Sequence, residues 1–324
     1  MRKHVHLWFG FLIAGVCLYY AFRGISIREM GASLSQAKLA PILIALTLYV
    51  IEFLLRSKRW SVLMAPVHST RPLELYWVMM IGFFANNVLP LRMGELVRAH
   101  VCGTKLHISR TASLGTILLE RLCDTLSFLT TFLAASLFFP FPPYMKKGAW
   151  LLGGLCIAII LALLLIHHHE DKFRAILDWS PLPGPWKGKI QHLVTHFIHS
   201  TSSITRPRFV VEALAYSLVI WVFEGTFLFL VSSALSVDLK YAEAFFLLFA
   251  LGLSVTLPQA PGYVGTFELF GVTALSLLGI PKNRGLPVIL AIHGLQFAFI
   301  AALGCVAMAK EGISFGQMTE TSSS

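Results

Sequence analysis

The 324-residue sequence is 56% hydrophobic and 13% charged, with a mean hydropathy of +0.73, whereas a soluble domain carries about 25% charged residues. That composition excludes a soluble enzyme, which could not wet its surface, and a disordered chain, which would be far less apolar, and it predicts an all-α polytopic membrane protein. The net charge of +10 does not indicate nucleic acid, because the basic residues lie in short stretches between apolar runs rather than on one face of a folded module.

A membrane crossing needs about 20 apolar residues, and eight hydrophobic segments follow one another. Val5 to Phe22 comes after Arg2 and Lys3 and ends without a small-residue cleavage site, so it is expected to be a retained helix rather than a signal peptide. Leu39 to Leu55, Leu73 to Pro90, Thr111 to Phe139 and Ala149 to Ile166 come next. Beyond them, Trp186, Ile190, Leu193, Phe197 and Ile204 fall near helical spacing with Lys187, Lys189, His192 and His196 interleaved, which predicts an amphipathic helix near 186–204 on the inner leaflet. Phe209 to Leu235, a broken unit from Tyr241 to Gly279, and Leu286 to Ala309 complete the set. The third segment stops at Asn86-Asn87-Val-Leu-Pro90 and the seventh at Leu257-Pro-Gln-Ala-Pro-Gly262. Proline and glycine there free backbone groups that lipid cannot satisfy, so this backbone must face protein or a wet cavity.

The stretch His167 to Arg208 carries six Lys/Arg and Leu55 to Pro72 four, against Lys146 and Lys147 after the fourth segment and Lys240 after the sixth. Basic loops are cytoplasmic, which predicts a protein of the cytoplasmic (inner) membrane with both termini in the cytoplasm. The same counting gives six full crossings and two re-entrant elements. Each half, 1–142 and 143–324, then has three crossings plus one broken element, and the odd number makes the second half an inverted copy of the first. Leu89-Pro90-Leu-Arg92-Met-Gly94-Glu95 and Leu257-Pro258-Gln-Ala-Pro261-Gly262-Tyr-Val-Gly265-Thr-Phe-Glu268 share a Leu-Pro break followed by Gly and Glu. Inverted repeats with paired broken helices are a transporter architecture whose substrate sites lie at the breaks.

Three ordered blocks, Asn86-Asn87-Val-Leu-Pro-Leu-Arg92-Met-Gly94-Glu95-Leu-Val-Arg98, Leu119-Glu120-Arg121-Leu-Cys-Asp124 and Pro261-Gly262-Tyr-Val-Gly265-Thr-Phe-Glu268, resemble the signature blocks of the lysylphosphatidylglycerol synthase transmembrane family. The resemblance extends over nearly the whole chain. In the namesake proteins such a membrane domain is linked to lipid flipping and precedes a soluble aminoacyl transferase domain; relatives without that domain are associated with polyprenyl-linked sugars or hopanoid-type lipids. The chain ends at Ser324, soon after its last apolar segment, so the resemblance implies a flippase-like role without aminoacyl transfer.

The chemistry of these blocks is legible without the family. A charge at the bilayer centre costs roughly 2.5 to 3.5 kcal/mol, so Glu120, Arg121 and Asp124 must face a cavity or partners. Glu120 and Asp124 share a helix face, and Arg121 can pair with Asp124. The group is either a self-neutralising structural cluster or one that also lines a headgroup cavity. Arg92, Glu95 and Arg98 follow the first break, where a restarting helix offers free N–H groups and Arg a planar fork that fits phosphate; the alternative is that these arginines snorkel to the interface. Pro261, Gly262 and Gly265 allow close approach by a ligand or by a neighbouring helix. Glu224, near mid-membrane, stands as a lone charge and a candidate proton-coupling group or a neutral, hydrogen-bonded one. His293 is expected to be a packing residue. His167-His168-His169 reads as an interfacial polar tract, and Cys17, Cys102, Cys123, Cys156 and Cys305 have no metal or disulfide spacing. No metal or cofactor is expected.

The expected substrate-binding set is thus Asn86, Asn87, Arg92, Glu95, Arg98, Glu120, Arg121, Asp124, Pro261, Gly262, Gly265 and Glu268. The leading function is movement of a phosphate-bearing or polyprenyl-linked lipid between leaflets. The alternative is an integral-membrane transferase using a polyprenyl-phosphate or phospholipid donor, disfavoured because no nucleotide loop, Asp-x-Asp pair or nucleophile constellation is present. A scaffold would not need charges inside its helices, and the expected partners are the lipid itself, with a second copy or a lipid-modifying enzyme as further possibilities.

Overall fold

The computed structural model describes residues 2–89, 93–172, 184–256 and 260–314, and these are helical with no strand among them. Twelve α-helices are described: α1 Arg2–Phe22, α2 Ile27–Ser35, α3 Leu39–Met64, α4 Pro72–Val88, α5 Gly94–Leu106, α6 Arg110–Ala135, α7 Pro143–His168, α8 Gly184–Thr201, α9 Pro207–Ala234, α10 Tyr241–Ser254, α11 Thr266–Leu277 and α12 Lys282–Glu311. Short 3₁₀ turns cover Ser202–Thr205 and Pro261–Tyr263. The eight apolar segments coincide with α1, α3, α4, α6, α7, α9, the α10–α11 pair and α12. By length and composition α3, α7, α9 and α12 can each cross a membrane.

Local chemistry sets the helix ends. Proline stands in the first turn of α4, α7 and α9, where its missing N–H is no loss. The Ser109 hydroxyl accepts the Ala112 N–H at 3.0 Å to cap α6. His107 (φ 53°) and Gly312 (φ 66°) close α5 and α12 in left-handed conformations. Both interruptions foreseen in the sequence are present, since α4 stops at Val88 and α10 at Ser254. Pro90 to Arg92 and Leu257 to Gln259 lie outside the described residues.

One boundary corrects the sequence reading. The apolar run ends at Leu55, yet α3 continues to Met64, so Arg56, Lys58 and Arg59, three of the four cations assigned to a loop, belong to a helix. The connecting stretch before Pro72 retains Arg71 alone. The helix continues because Arg56 and Arg59 are neutralised by carboxylates and packed away from solvent.

The centre of the molecule is α3 laid along α9, the most extensive helix contact. Tyr49 of α3 stacks near Phe227 of α9 (centroids 5.0 Å) and Phe299 of α12 (4.9 Å), and Phe132 of α6 lies 3.9 Å from Phe249 of α10. Around this pair, α4 and α5 pack on each other and on α12 and α6 respectively, while α11 packs on α10, α12 and α1. The last turns of α8 press against α6, where a Cβ on Gly115 would come within 1.9 Å of the Ser200 hydroxyl. Outward, α7 presents Trp150, Leu151, Leu155, Ile157, Leu161 and Leu165. An exterior this apolar is the reverse of a soluble fold's surface, while the interior is an apolar core with a polar chain running through it.

A buried polar chain at the junction of the broken helices

The first broken pair is held together by small residues and one amide. Asn86 Oδ1 accepts the Gly94 N–H at 2.8 Å, tying the end of α4 to the start of α5. The two helices touch backbone to backbone there, because a Cβ on Gly94 would lie 2.1 Å from the Gly82 carbonyl oxygen. This contact aims Arg98 inward. Its two Nη groups donate to both Glu120 oxygens at 2.9 and 2.6 Å, a bidentate fork, and its guanidinium lies 3.5 Å over the Trp60 ring. Trp60 in turn donates Nε1–H to the Thr116 hydroxyl at 3.0 Å.

Arg59 of α3 is fully buried and forms a second fork with Asp124, with Nη2 to Oδ2 at 3.1 Å and Nη1 bonded to Oδ1; Nη1 also donates to the Ser217 hydroxyl of α9 at 2.8 Å. Its Nη2 lies 3.4 Å from Glu120. Arg121 reaches Glu120 at 3.1 Å and Asp124 at 3.7 Å while remaining 34% exposed. The expected Arg121–Asp124 pair is therefore within ion-pair range, but the close partner of Asp124 is Arg59. Exposed pairs contribute under about 1 kcal/mol, and Glu120 and Asp124 keep their buried arginines without Arg121. Arg121→Ala should accordingly shift stability by less than about 1 kcal/mol, read as thermal unfolding in detergent; a loss several times larger would show that Arg121 is a buried partner after all.

A second cluster lies further along α3. Arg56 bonds Glu52 (Nε to Oε1 2.8 Å) and approaches Glu224 of α9 at 3.7 Å, and Gln296 of α12 donates Nε2–H to Glu224 at 2.6 Å. Glu224 is thus not the lone charge that the sequence suggested. Its partners come from two other helices, invisible in its own segment. Arg56 and Arg59 lie three residues apart on α3, so the two clusters adjoin along one helix face as a single polar chain.

A third group ties the second break. The Glu268 carboxylate accepts the Gly265 N–H at 2.6 Å at the start of α11 and bonds His293 Nδ1 at 2.6 Å, while His293 Nε2 lies 2.8 Å from the Gly262 carbonyl oxygen. A carbonyl only accepts, so Nε2 carries a proton, and His293 holds the turn at both ring nitrogens. Gly262 (φ 70°) and Gly265 (φ 93°) hold left-handed conformations that favour glycine; a Cβ on the first would meet the Phe297 ring at 3.2 Å and touch the Asn87 carbonyl at 3.4 Å, and on the second would clash with the Ala14 carbonyl at 2.5 Å. The two breaks therefore meet at Asn87 and Gly262, with protein backbone against both glycines.

Of the residues expected to bind substrate, the structure joins Arg98, Glu120, Arg121 and Asp124 directly. Asn86 serves the α4–α5 staple, Asn87 lies against the second break, and Pro261, Gly262, Gly265 and Glu268 form the second break itself. Glu95 is half-buried in the first turn of α5. Arg92 lies outside the described residues. Among the described residues no cluster has the makeup of a metal site. Sequence reasoning missed Glu52, Arg56, Arg59, Ser217 and Gln296. The spacing 52, 56, 59 puts three charges on one helix face, a signal that was available once α3 was allowed to run past Leu55.

Comparison with known proteins places these features in a wider set. Residues 7–304 match the family described as lysylphosphatidylglycerol synthase TM region. A UPF0104 membrane protein of Methanothermobacter thermautotrophicus is 23% identical over 313 residues, covering 89% of this chain and 90% of that protein. A second UPF0104 membrane protein of the same organism is 23% identical over 278 residues, covering 82% of this chain and 81% of its own length.

Proposed function

This chain belongs to the lysylphosphatidylglycerol synthase TM region family of integral membrane proteins, and on that premise we propose that it is a flippase-like carrier that moves a phosphate-bearing lipid, polyprenyl-linked intermediates included, between leaflets. One observation carries the reading. Among the described residues, Nε of Arg59, Arg98 and Arg121 and Nδ2 of Asn87 are buried N–H donors without an acceptor. Three arginines also face two carboxylates, Glu120 and Asp124, leaving one positive charge in excess. Spare donors and spare positive charge in a dry interior suit an anionic headgroup, and Arg suits phosphate. The lipid tails remain in the bilayer, and the partly exposed Arg121 marks the way in.

In this reading Glu95 flanks the headgroup at the start of α5, Arg92, two residues before Gly94 in the sequence, is a further headgroup ligand, and Pro261, Gly262, Gly265 and Glu268 approach from the other side. The six crossings are α1, α3, α6, α7, α9 and α12, and the halves 1–142 and 143–324 are related by inversion. Support comes from matching contacts: α4 packs on α12 as α10 packs on α6, and α5 packs on α6 as α11 packs on α12. We place both termini on the cytoplasmic side of the inner membrane, with α8 on the inner leaflet. Lys172 and Arg206 between α7 and α9 and Arg208 in the first turn of α9, against Lys146 and Lys147 at the opposite end of α7, support that orientation.

The test is flipping of a fluorescent phosphatidylglycerol in liposomes containing the purified protein, with a neutral glycolipid as control. Arg92→Lys and Arg98→Lys keep the charge and lose the fork, so flipping at equal protein level should fall about tenfold, the equivalent of about 1.4 kcal/mol. Full activity in both variants, or equal flipping of the neutral lipid, overturns the phosphate site.

A further inference from the structure

The Glu52–Arg56–Glu224 cluster is unused by the headgroup site, and its geometry points to a ligand of its own. Glu52 is completely buried, and its Oε2 has no donor among the described residues, although Oε1 is held by Arg56. The Glu224 carboxylate stands beside it, since one Arg56 nitrogen, Nη2, lies 2.6 Å from Glu52 Oε1 and 3.7 Å from Glu224 Oε2. A buried carboxylate oxygen without a donor, next to a second carboxylate that shares its arginine, is an unmet acceptor, and a proton shared between the two is the smallest group that meets it. A metal ion fits less well: Gln296 turns its N–H, not its oxygen, to Glu224, and the Arg56 guanidinium lies against both carboxylates.

Charge balance links this site to the other. Arg56, Arg59, Arg98 and Arg121 face Glu52, Glu120, Asp124 and Glu224, so the whole chain is neutral when empty. The excess charge is positive at the Glu120–Asp124 end and negative at the Glu52–Glu224 end. A phosphate monoanion binding to the first end leaves the chain one charge negative. One proton on the Glu52–Glu224 pair restores neutrality, and in a low-dielectric interior each binding event favours the other.

We propose that Glu52 and Glu224 together bind one proton, taken up when a phosphate-bearing headgroup enters the arginine site, so that lipid and proton move together as a neutral pair. The proton-binding pair stands on its own geometry; its coupling to lipid rests on the carrier reading above. The groups that face the pair are Tyr49 and Arg56 from α3, the Trp221 ring from α9, Gln296 from α12, Asp124 from α6 through Arg56, and Tyr263 beside Tyr49. Among these, the two carboxyls are the pair with an unmet acceptor between them.

Two measurements on the full-length protein in dodecyl maltoside micelles, which carry no phosphate, test this. Infrared difference spectra recorded on acidification, without added lipid, should show a protonated-carboxyl C=O band that grows in a single one-proton step. Glu52→Gln and Glu224→Gln, which keep size and hydrogen bonding, should each remove the whole band rather than half. No such band in the wild type, or an unchanged band in both variants, overturns the proton site whatever the lipid result. Short-chain phosphatidylglycerol added in weakly buffered solution with a pH dye should draw one proton from solution per lipid bound in the wild type, and none in either variant. Lipid binding without proton uptake overturns the coupling while sparing the carrier reading. Absence of lipid binding refutes the carrier reading and the coupling together, leaving the infrared result to decide the proton site alone.

Discussion

Replacing Arg59 by alanine is expected to be the most damaging single change to this protein. The side chain is fully buried, forks onto Asp124, bonds Ser217 and lies 3.4 Å from Glu120. Its removal strands Asp124 with only the 3.7 Å contact to Arg121, in a setting where breaking a buried pair costs about 3 to 5 kcal/mol. Membrane-inserted protein should drop severely, and whatever is purified should unfold at a markedly lower temperature. The double variant Arg59→Ala with Asp124→Asn removes both charges and should recover much of the loss, because the penalty comes from the unpaired carboxylate rather than from the missing arginine. Arg59→Lys should fall between the two, since an ammonium keeps the charge but cannot fork onto Asp124 while also bonding Ser217. Near-normal stability for Arg59→Ala, or a double variant no better than the single one, would show that the two residues are not energetic partners.

The second large effect is expected at Gly94. A methyl group there would sit 2.1 Å from the Gly82 carbonyl and 2.5 Å from Asn86 Oδ1. Backbone and a bonded amide cannot yield as a flexible side chain would, so Gly94→Ala must push α5 away from α4. Overpacking costs typically 1 to 3 kcal/mol, and Gly82 sits against the Arg98 stem as well, with its own would-be Cβ 2.9 Å from Arg98 Cβ. Displacing α5 therefore pulls the Arg98 fork off Glu120, and flipping should suffer more than stability. Gly15→Ala on α1 is the control: nothing lies within 4 Å of its would-be Cβ, and alanine there should be neutral or stabilising by about 0.5 to 1 kcal/mol. Equal behaviour of the two variants in unfolding and transport assays would remove the close contact from the account.

Much of the helix inventory was readable in advance because lipid is an exacting solvent. Leu39 to Leu55 and Ala149 to Ile166 could hardly be anything but helices, since apolar runs of that length with every backbone group satisfied internally have few alternatives. The breaks at Asn86-Asn87-Val-Leu-Pro90 and Leu257-Pro-Gln-Ala-Pro-Gly262 were equally legible, as proline and glycine act locally. The same reasoning failed at Leu55. There the hydropathy falls and the helix does not, because Arg56 and Arg59 in its last turns are neutralised by Glu52 of α3 itself, by Asp124 of α6 and, at longer range, by Glu224 of α9.

Composition and apolar run length, properties of neighbours along the chain, were enough to establish an all-helical membrane protein, the place of its two interruptions and the candidate status of Arg98, Glu120, Arg121 and Asp124. Which charge meets which depended on how the helices pack. Arg59 and Asp124 are 65 residues apart, and Glu224 and Gln296 are 72 apart. An ion pair inside a bilayer is chosen by the rotation and depth of two separate helices, neither of which is written in the residues beside the charge, so the pairing of Arg59 with Asp124 was decided only when α3 was laid against α6 and α9.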